Sequence, residues 1–261
     1  MSDREKLLRY YRADGDGDIA AKLIDLAEAV AKNGKVKVSD FLDPHAMMIA
    51  ETVSAHYPAV RLECFGGYDG AERVKAAFIQ TDFRGKPVYQ IAALKVKWDK
   101  RFDRLTHRDV LGAVLGCGIE REMTGDIVLM NEGAFVLVHQ SLVPFLLSNL
   151  TSVGPVTVEI EEADLALIPP KEEKIKEIRT TAASLRLDVI AAAGFGTSRT
   201  KMSDDIAADK IKLNWQPVRK SDQAVKAGDV ISMRGRGRLE VAEVLGTTKK
   251  GRLSILLRRY L

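Results

Sequence analysis

One short motif in the sequence has the residue types of a phosphotransferase site. Thr106-His107-Arg108-Asp109 contains the His-Arg-Asp of a kinase catalytic loop. A kinase needs an asparagine at the fifth position after that aspartate to hold magnesium, and position 114 is valine. The sequence also lacks the Asp-Phe-Gly motif and the glycine-rich loop that would complete such a site. We therefore predict no catalysis here, although Arg108, with His107 beside it, is a candidate for an anion contact.

Glycine-rich and aspartate-rich segments suggest ligand-binding motifs, but the residues at the required positions do not match those motifs. Gly116-Cys117-Gly118 and Gly194-Phe195-Gly196 are fragments of a GxGxxG fingerprint, but arginine replaces the third glycine in both. Asp14-Gly15-Asp16-Gly17-Asp18 is not an EF-hand loop, because Ile19 and Asp25 occupy the positions that need glycine and glutamate. We predict a turn with helix-capping aspartates at this segment, and no bound cofactor.

The cysteines and histidines lack the spacing of a metal site. Cys64 and Cys117 are 53 positions apart and neither belongs to a CxxC motif. The histidines are scattered along the chain at His45, His56, His107 and His139. We predict no metal site and no disulfide scaffold, and expect both thiols to be free and buried.

Composition places the 261-residue chain among ordinary globular proteins of about two domains, with 46% apolar residues. Its apolar segments fall short of the roughly 18 residues of a membrane span. The charged N-terminus, Ser2–Lys6, does not resemble a signal peptide, so we expect a cytoplasmic protein.

Charge is distributed unevenly along the chain. Residues 1–170 contain 20 Lys and Arg against 25 Asp and Glu, whereas residues 171–261 contain 20 against 11. Such asymmetry is typical of a protein in which one module binds a polyanion, and the alternative is a solvated, lysine-rich surface.

Hydrophobic periodicity predicts an α+β protein that begins with a helical segment over residues 1–80. The predicted helices are Asp3–Arg12, Ile19–Lys32 and a third from Pro44 toward His56, capped by Asp43. Strands are predicted over Arg61–Phe65 and Val74–Thr81.

Residues 81–168 have the β-α-β-β-α-β order of a ferredoxin-like, RRM-like domain. The predicted strands are Val88–Trp98, Ile127–Met130, Ala134–His139 and Val156–Ile160, and the predicted helices are Thr106–Leu115, with Thr106 and Asp109 as a capping box, and Ser141–Leu150. This fold hosts many activities, so it does not by itself establish RNA binding. The central strands lack the aromatic pair of a conventional RNA-recognition motif, and we expect Phe135 to lie in the core.

A linker over residues 169–183, with a helix at Lys171–Thr180, is predicted to lead into a C-terminal domain at residues 184–261. That domain should contain a helix ending at a glycine, a second helix opened by Ser198, and a strand at Ile211–Asn214. Arg199 and Lys201 fall in the first turn of the second helix, where cations oppose the helix dipole. A phosphate bound at that N-terminus would reverse the penalty.

The repeat Arg234-Gly235-Arg236-Gly237-Arg238 places three arginines at a spacing of two. In a strand they would project to one side, so we predict a single basic surface that contacts RNA phosphates. The alternative is a charged edge strand that prevents aggregation.

The C-terminal segment resembles the S-four domain, an RNA-binding module first described in the fourth protein of the small ribosomal subunit. The matching residues, in order, are Arg186-Leu187-Asp188, Gly194, Ser198-Arg199 and Ile211-Lys212-Leu213-Asn214. The resemblance implies RNA-backbone contacts by Arg186, Ser198, Arg199 and Lys201, with Asp188 orienting an arginine. We add Lys212 and Asn214 of the matching strand to the predicted RNA-binding residues.

Further motifs over nearly the whole chain resemble the YlmH family of bacterial S-four proteins. They are Phe41-Leu42-Asp43-Pro44, Gly66-Gly67-Tyr68, Ala71-Glu72-Arg73, Leu105–Asp109 with Leu111-Gly112, Gly118-Ile119-x-Arg121-Glu122, Gly125-Asp126-Ile127 and the arginine repeat. The resemblance implies a non-catalytic protein that binds large-subunit ribosomal RNA and peptidyl-tRNA and assists C-terminal tailing of the nascent chain in ribosome quality control. A tailing factor of the NEMF type would be a protein partner, and neither a membrane nor a small-molecule substrate is expected.

Two other function classes remain open at this point. One is an RNA-modifying enzyme, a pseudouridine synthase or methyltransferase, that uses its S-four domain for targeting. Against it, residues 1–170 contain no cofactor loop, and S-four domains usually precede the catalytic domain in pseudouridine synthases. The other is a protein adaptor in cell division.

Overall fold

A computed structural model describes residues 3–13, 15–32, 34–99, 105–131, 133–171 and 174–260. The chain divides into two compact units, residues 1–171 and residues 172–261. The first unit contains a helical part with a small sheet, followed by a four-stranded sheet with helices. The second unit contains a six-stranded sheet with two helices.

The N-terminal half of the first unit packs three helices against a three-stranded antiparallel sheet of order β1-β3-β2. The elements are α1 (Asp3–Ala13), α2 (Gly17–Lys32), β1 (Val36–Leu42), α3 (Pro44–Ala55), β2 (Val60–Phe65) and β3 (Val74–Gln80). The predicted helices and the last two strands are confirmed. Strand β1 was missed, because its alternating Val36-Lys37-Val38 start is short and its pairing partner β3 lies far along the chain.

Local capping signals account for the accuracy of the helix predictions. The Asp43 side chain accepts a 2.8 Å hydrogen bond from the Ala46 amide, and Pro44 occupies the first helical position.

In the aspartate-rich segment, Asp14 lies outside the described residues. Gly15 forms a turn with φ +85°, and Asp16 Oδ2 lies 2.8 Å from His45 Nε2.

The second half of the first unit forms a four-stranded antiparallel sheet of order β5-β6-β4-β9. Its elements, with a two-stranded hairpin β7-β8, are β4 (Ile91–Lys97), α4 (His107–Gly116), β5 (Thr124–Met130), β6 (Gly133–His139), α5 (Val143–Asn149), β7 (Ser152–Val153), β8 (Val156–Thr157) and β9 (Glu159–Ala163). The sheet therefore has the β-α-β-β-α-β element order. The single strand predicted at Val156–Ile160 is wrong: β8 pairs with β7, and the chain changes sheets at Val158, whose amide bonds to the Thr151 carbonyl.

Helix α4 begins with the predicted capping box. The Asp109 amide donates to Thr106 Oγ1 at 3.3 Å, and the Thr106 amide donates to Asp109 Oδ2 at 2.8 Å. Thr106 Oγ1 also donates to the same carboxylate oxygen at 2.7 Å, and these hydrogen bonds lower the pKa of Asp109. The aspartate of the kinase-like motif is thus a capping residue.

The two faces of the four-stranded sheet are covered by different parts of the unit. One face packs against α4 and α5 around Leu94, Val136 and Leu146. The other face forms a second core that includes Phe41 of β1, Phe135 and Ile168. Gly67 approaches this face so closely that a Cβ there would overlap Leu137. Phe135 is buried, as predicted, and the sheet face that RNA-recognition motifs expose is largely covered by the protein's own chain.

The second unit is a six-stranded antiparallel sheet of order β10-β15-β14-β13-β11-β12 that packs against two helices. Its elements are β10 (Ile175–Ala182), α6 (Leu187–Phe195), α7 (Arg199–Ala207), β11 (Ile211–Leu213), β12 (Gln216–Pro217), β13 (Val230–Met233), β14 (Gly237–Thr247) and β15 (Leu253–Tyr260). The buried core includes Leu187, Ile190, Met202, Ile206 and Leu239.

The linker helix predicted at Lys171–Thr180 is wrong where the structure describes that segment. Residues 175–182 form β10, which pairs with β15 in continuous register from Ile175–Tyr260 to Ala182–Leu253. The β-branched residues of the segment suit a strand, and the partner strand lies at the other end of the domain. The second unit therefore includes this segment and begins near residue 172 rather than at 184.

Within the described ranges, every helix is too short or too polar to cross a lipid bilayer. The described side chains include no group of three or more His, Cys, Asp or Glu placed to hold a metal ion. Both cysteines are free, but Cys64 is exposed, so the prediction of a buried thiol is wrong there. Cys64 lies at the exposed end of β2.

Candidate nucleic-acid interface

A buried carboxylate at the start of α6 holds two arginines at the surface. Asp188 is only 2% exposed, whereas the side chains of Arg186 and Arg199 are 36% and 58% exposed. Asp188 accepts from Arg186 through both oxygens, at 3.1 and 3.2 Å, and from Arg199 Nε at 2.8 Å. The predicted contact between Asp188 and an arginine is confirmed, and it joins two arginines rather than one.

The electrostatics of this group favour an ionised carboxylate. Burial alone would raise the pKa of Asp188, but the hydrogen bonds and charges of Arg186 and Arg199 outweigh burial and lower it. The same hydrogen bond raises the pKa of Arg186. One buried carboxylate thus bonds two guanidinium groups, and the negative charge of Asp222 also acts on Arg186.

Two glycines and a serine bring Arg199 to this carboxylate. Helix α6 lies so close to β14 that a Cβ at Gly194 would overlap the Leu239 side chain. Gly196 then ends α6 in the left-handed conformation, with φ +64°, and reverses the chain. Ser198 caps α7 by accepting a 3.2 Å hydrogen bond from the Lys201 amide, which places Arg199 and Lys201 in the first turn.

A second group of cations lies near Asp205 of α7. Lys210 Nζ is 2.7 Å from Oδ1 of the buried Asp205. This hydrogen bond is the main cause of the lowered pKa of Asp205, and the charges of Lys201 and Arg236 contribute to it. Lys210 therefore pairs with Asp205, and Lys201 and Arg236 add positive charge near it.

The arginine repeat does not lie along a strand as predicted. Arg234-Gly235-Arg236 forms the turn between β13 and β14, and only Arg238 is in a strand. The two glycines take φ values of +76° and +85°, which a regular strand does not allow. The prediction of three arginines on one side is therefore wrong.

The arginines of the repeat have separate environments. Arg236 donates to the Phe195 carbonyl at 3.0 Å and so caps the C-terminal end of α6. Arg238 lies over the Tyr260 ring, with its guanidinium carbon 5.4 Å from the ring centroid. Because its neighbour Leu239 packs under the helices, alternation places Arg238 on the opposite face of the sheet.

The remaining predicted residues also divide between the two faces. Lys212 is exposed between the buried Ile211 and Leu213, so it faces away from the helices, like Arg238. Asn214 is turned inward: its side chain donates to Asp229 at 3.0 Å and accepts from the Val230 amide at 2.9 Å. We therefore leave Asn214 out of the candidate interface.

The structure thus assembles one cationic surface. It consists of predicted residues and of one further residue, Lys210, that was not predicted. We call it the α6–α7 face, and it consists of Arg186, Ser198, Arg199, Lys201, Lys210 and Arg236. Lys210 was missed because its contact with Asp205 depends on the turn after α7. The sequence did offer one signal for this contact, a lysine that closely follows a helix containing aspartates.

In the first unit, His107 lines a cleft of about 550 Å³ and Arg108 does not. Burial lowers the pKa of His107, and the charge of Arg121 lowers it further. The cleft also contains Tyr68, Arg73 and Asp126, which come from motifs that the sequence comparison singled out without assigning them a role.

Together these features define a mixed α/β protein of two units, the second of which has a pair of helices on its sheet with arginines at both helix starts. Three family models match the chain in succession. Residues 16–83 match the model described as "YlmH, N-terminal", and residues 86–166 match "Putative RNA-binding domain in YlmH". Residues 176–260 match "Mitochondrial transcription rescue factor 1, C-terminal domain".

A curated relative matches over almost its full length. The chain is 31% identical over 262 residues to "Ribosome-associated protein quality control protein P2" of Bacillus subtilis (strain 168), covering 99% of each sequence. The chain belongs to the YlmH family. A solved structure, "Cell division protein ylmH from Streptococcus pneumoniae", is 22% identical and superposes with a TM-score of 0.49 over 58% of this chain and 93% of that one.

Proposed function

We propose that the protein is a non-catalytic RNA-binding factor that associates with the large ribosomal subunit and peptidyl-tRNA in ribosome-associated quality control. In this proposal the second unit is an S-four-type module and the α6–α7 face contacts RNA phosphates. Ribosomal RNA, tRNA and a nascent-chain tailing factor of the NEMF type would be the partners. The name of the Bacillus relative and the description of the matched middle domain support the proposal.

The observation that carries the proposal is the position of Arg186 and Arg199 on one buried carboxylate. Arg199 uses only its Nε on Asp188, so its terminal amino groups can meet an anion. Holding both guanidinium groups in place before binding reduces the entropy lost when a phosphate arrives. Arginine suits this task because its planar fork bonds two phosphate oxygens at once.

Helix α7 adds a second favourable feature. Arg199 and Lys201 lie in its first turn, where cations oppose the helix dipole and do not favour stability. A phosphate at this N-terminus would meet both cations and the unpaired backbone amides of the first turn. The unfavourable interaction of these cations with the helix dipole in the free protein would thus be outweighed by their favourable interaction with the phosphate in the complex.

The experiment that tests the proposal is RNA crosslinking in cells, followed by sequencing of the RNA recovered with the protein. Large-subunit ribosomal RNA together with tRNA is the expected result. Recovery of an RNA that loses a base modification when the protein is deleted would instead indicate a modifying enzyme. Recovery of no RNA above background would contradict the proposal and favour a protein adaptor.

A further inference from the structure

The cleft of about 550 Å³ in the first unit has two chemically different walls. The polar wall contains Arg73, His107 and Arg121. The apolar wall is formed by the C-terminal half of β5, residues 127–130, and by Pro169-Pro170. This cleft belongs to the first unit, whereas the α6–α7 face of the proposed function belongs to the second.

The arginines of the polar wall are fixed by backbone carbonyl groups. Arg73 donates to the carbonyls of Thr124 at 3.0 Å, Phe41 at 3.0 Å and Arg121 at 3.2 Å. Arg121 donates through one terminal nitrogen to the carbonyls of Thr124 at 2.7 Å and Gly125 at 3.2 Å. These bonds leave further N–H groups of both guanidinium groups without a partner among the described residues.

Asp126, which lines the cleft together with the acids Asp43 and Glu72, is already occupied. Asp126 accepts hydrogen bonds from the Tyr68 hydroxyl at 2.9 Å and from the amides of Glu72 and Arg73 at 2.6 and 3.0 Å. Among the residues that the structure describes, neither arginine forms an ion pair with a carboxylate. Burial lowers the pKa of Arg73 and of Arg121, and the charge of Arg73 lowers the pKa of Arg121 further. The charges of nearby acids, Asp43 and Asp126 among them, oppose this lowering in part. The two half-buried guanidinium groups therefore keep N–H groups that an anion in the cleft can meet.

The apolar wall suits a flat ring. Leu129 and Met130 are 44% and 39% exposed, which is high for large apolar side chains on a sheet. Pro169 and Pro170 form part of the same lining. The cleft volume lies within the range of small-molecule sites, which combine an apolar lining with a few polar groups.

We propose that this cleft binds a nucleoside phosphate, with the phosphate on Arg73, Arg121 and His107 and the base against the β5 and proline wall. The phosphate group can come from a free nucleotide or from a nucleotide of an RNA strand. His107 has no hydrogen-bond partner among the described residues, so its ring is available to donate to a phosphate oxygen. At the rim, Lys171 forms an ion pair with Glu72, with 3.1 Å between Lys171 Nζ and the carboxylate.

Calorimetric titration of the full chain tests this proposal with three probes: a mixture of the four nucleoside monophosphates, the matching nucleosides, and a dinucleotide with an internal phosphodiester. We expect binding of a phosphate-containing probe at least about tenfold tighter than binding of the nucleosides. Tighter binding of the monophosphates indicates a free nucleotide, and tighter binding of the dinucleotide indicates RNA. No binding of either phosphate probe at millimolar concentration would overturn the proposal.

Two matched variants locate the site. His107→Glu adds an acid to the cleft without removing a hydrogen bond of the fold, and an acid in the first turn of α4 suits the helix dipole. We expect it to weaken binding by about tenfold or more, whereas Arg108→Glu, on the next residue outside the cleft, should change it less than about twofold. Equal effects of the two variants would contradict the assignment. The variant Arg199→Glu changes the α6–α7 face and not the cleft, so it should bind the probes as the wild type does. A failure of the cleft proposal can therefore be distinguished from a failure of the RNA-binding proposal.

Discussion

Asp188 and Arg199 lie eleven residues apart in sequence and are joined by a 2.8 Å hydrogen bond from Arg199 Nε to the buried carboxylate. The contact links the first turn of α6 to the first turn of α7 across the glycine turn between them. Arg186 reaches the same carboxylate from the residue that precedes α6. One acidic side chain therefore links the two helices and holds both arginines.

Replacing Asp188 by asparagine should lower the stability of the second unit. Asp188→Asn keeps the shape of the side chain but removes the negative charge of the carboxylate, which accepts three hydrogen bonds from the two arginines. We expect a loss of about 1–3 kcal/mol in the free energy of unfolding, the scale of hydrogen bonds to charged groups. Chemical denaturation measures this, with the exposed Asp204→Asn as the control. An equal and small effect of both variants would show that the Asp188 contacts add no stability.

The stability that Asp188 contributes should depend on pH in a defined direction. Burial raises its pKa, but the hydrogen bonds from Arg186 and Arg199 lower it below the unfolded value, so folding favours the ionised form. The contribution is therefore complete above the unfolded pKa of about 3.9 and is lost as pH falls through the lower folded value. The difference in unfolding free energy between the wild type and Asp188→Asn should be constant from pH 8 to about pH 5 and should shrink below about pH 4. A difference that grows on acidification would contradict this account.

A methyl group at Gly194 should separate α6 from the sheet. Gly194→Ala places a Cβ against the Leu239 side chain, and overpacking of this kind costs about 1–3 kcal/mol. Gly112→Ala is the matched control, because Gly112 is also in a helix and a Cβ there meets nothing within 4 Å. That variant should be neutral or more stable by up to about 1 kcal/mol. Thermal unfolding compares the two, and similar behaviour would argue against close packing of α6 on β14.

Arg236 and Arg238 should differ in their contribution to RNA binding, because they lie on different faces of the sheet. Arg236→Gln should reduce the slope of log affinity against log salt concentration by about one, the effect of losing a single phosphate contact. Arg238→Gln should leave that slope nearly unchanged, since Arg238 lies over Tyr260 on the other face. Ribosome binding across a salt series measures both. Equal reductions of the slope by the two variants would indicate that Arg236 and Arg238 contact RNA on a single surface, which would contradict this account.

The parts of the fold that the sequence predicted correctly depend on local interactions. Asp43, Thr106 and Ser198 each cap a helix with a side chain whose partner is three residues away, so each helix start was predicted to within one residue. Strand β10 was predicted as a helix because the strand that pairs with it, β15, ends the chain. The arginine repeat was predicted as a strand because its glycines allow a turn that an alternating pattern does not reveal.

The site was predictable in part for the same reason. Arg199 was identified from its place in the first turn of a capped helix, whereas Arg186 and Asp188 were identified through the resemblance to the S-four domain. The cleft of the first unit was not predicted, because Arg73, His107 and Arg121 come from separate segments that meet only in the folded unit. Each segment contributed to the family resemblance, and only the structure showed that they line one cavity.

Reversal of charge on the α6–α7 face tests the central claim most directly. The measurement is co-sedimentation of the purified full chain with large ribosomal subunits carrying peptidyl-tRNA. The double variant Arg186→Glu with Arg199→Glu is compared with Arg179→Glu, an exposed arginine of β10 whose neighbour Ile178 packs toward the helices. We predict that the double variant loses binding by about a hundredfold or more, the effect of two lost charge-assisted contacts, while Arg179→Glu binds as the wild type does. Wild-type binding by a folded double variant would contradict the account.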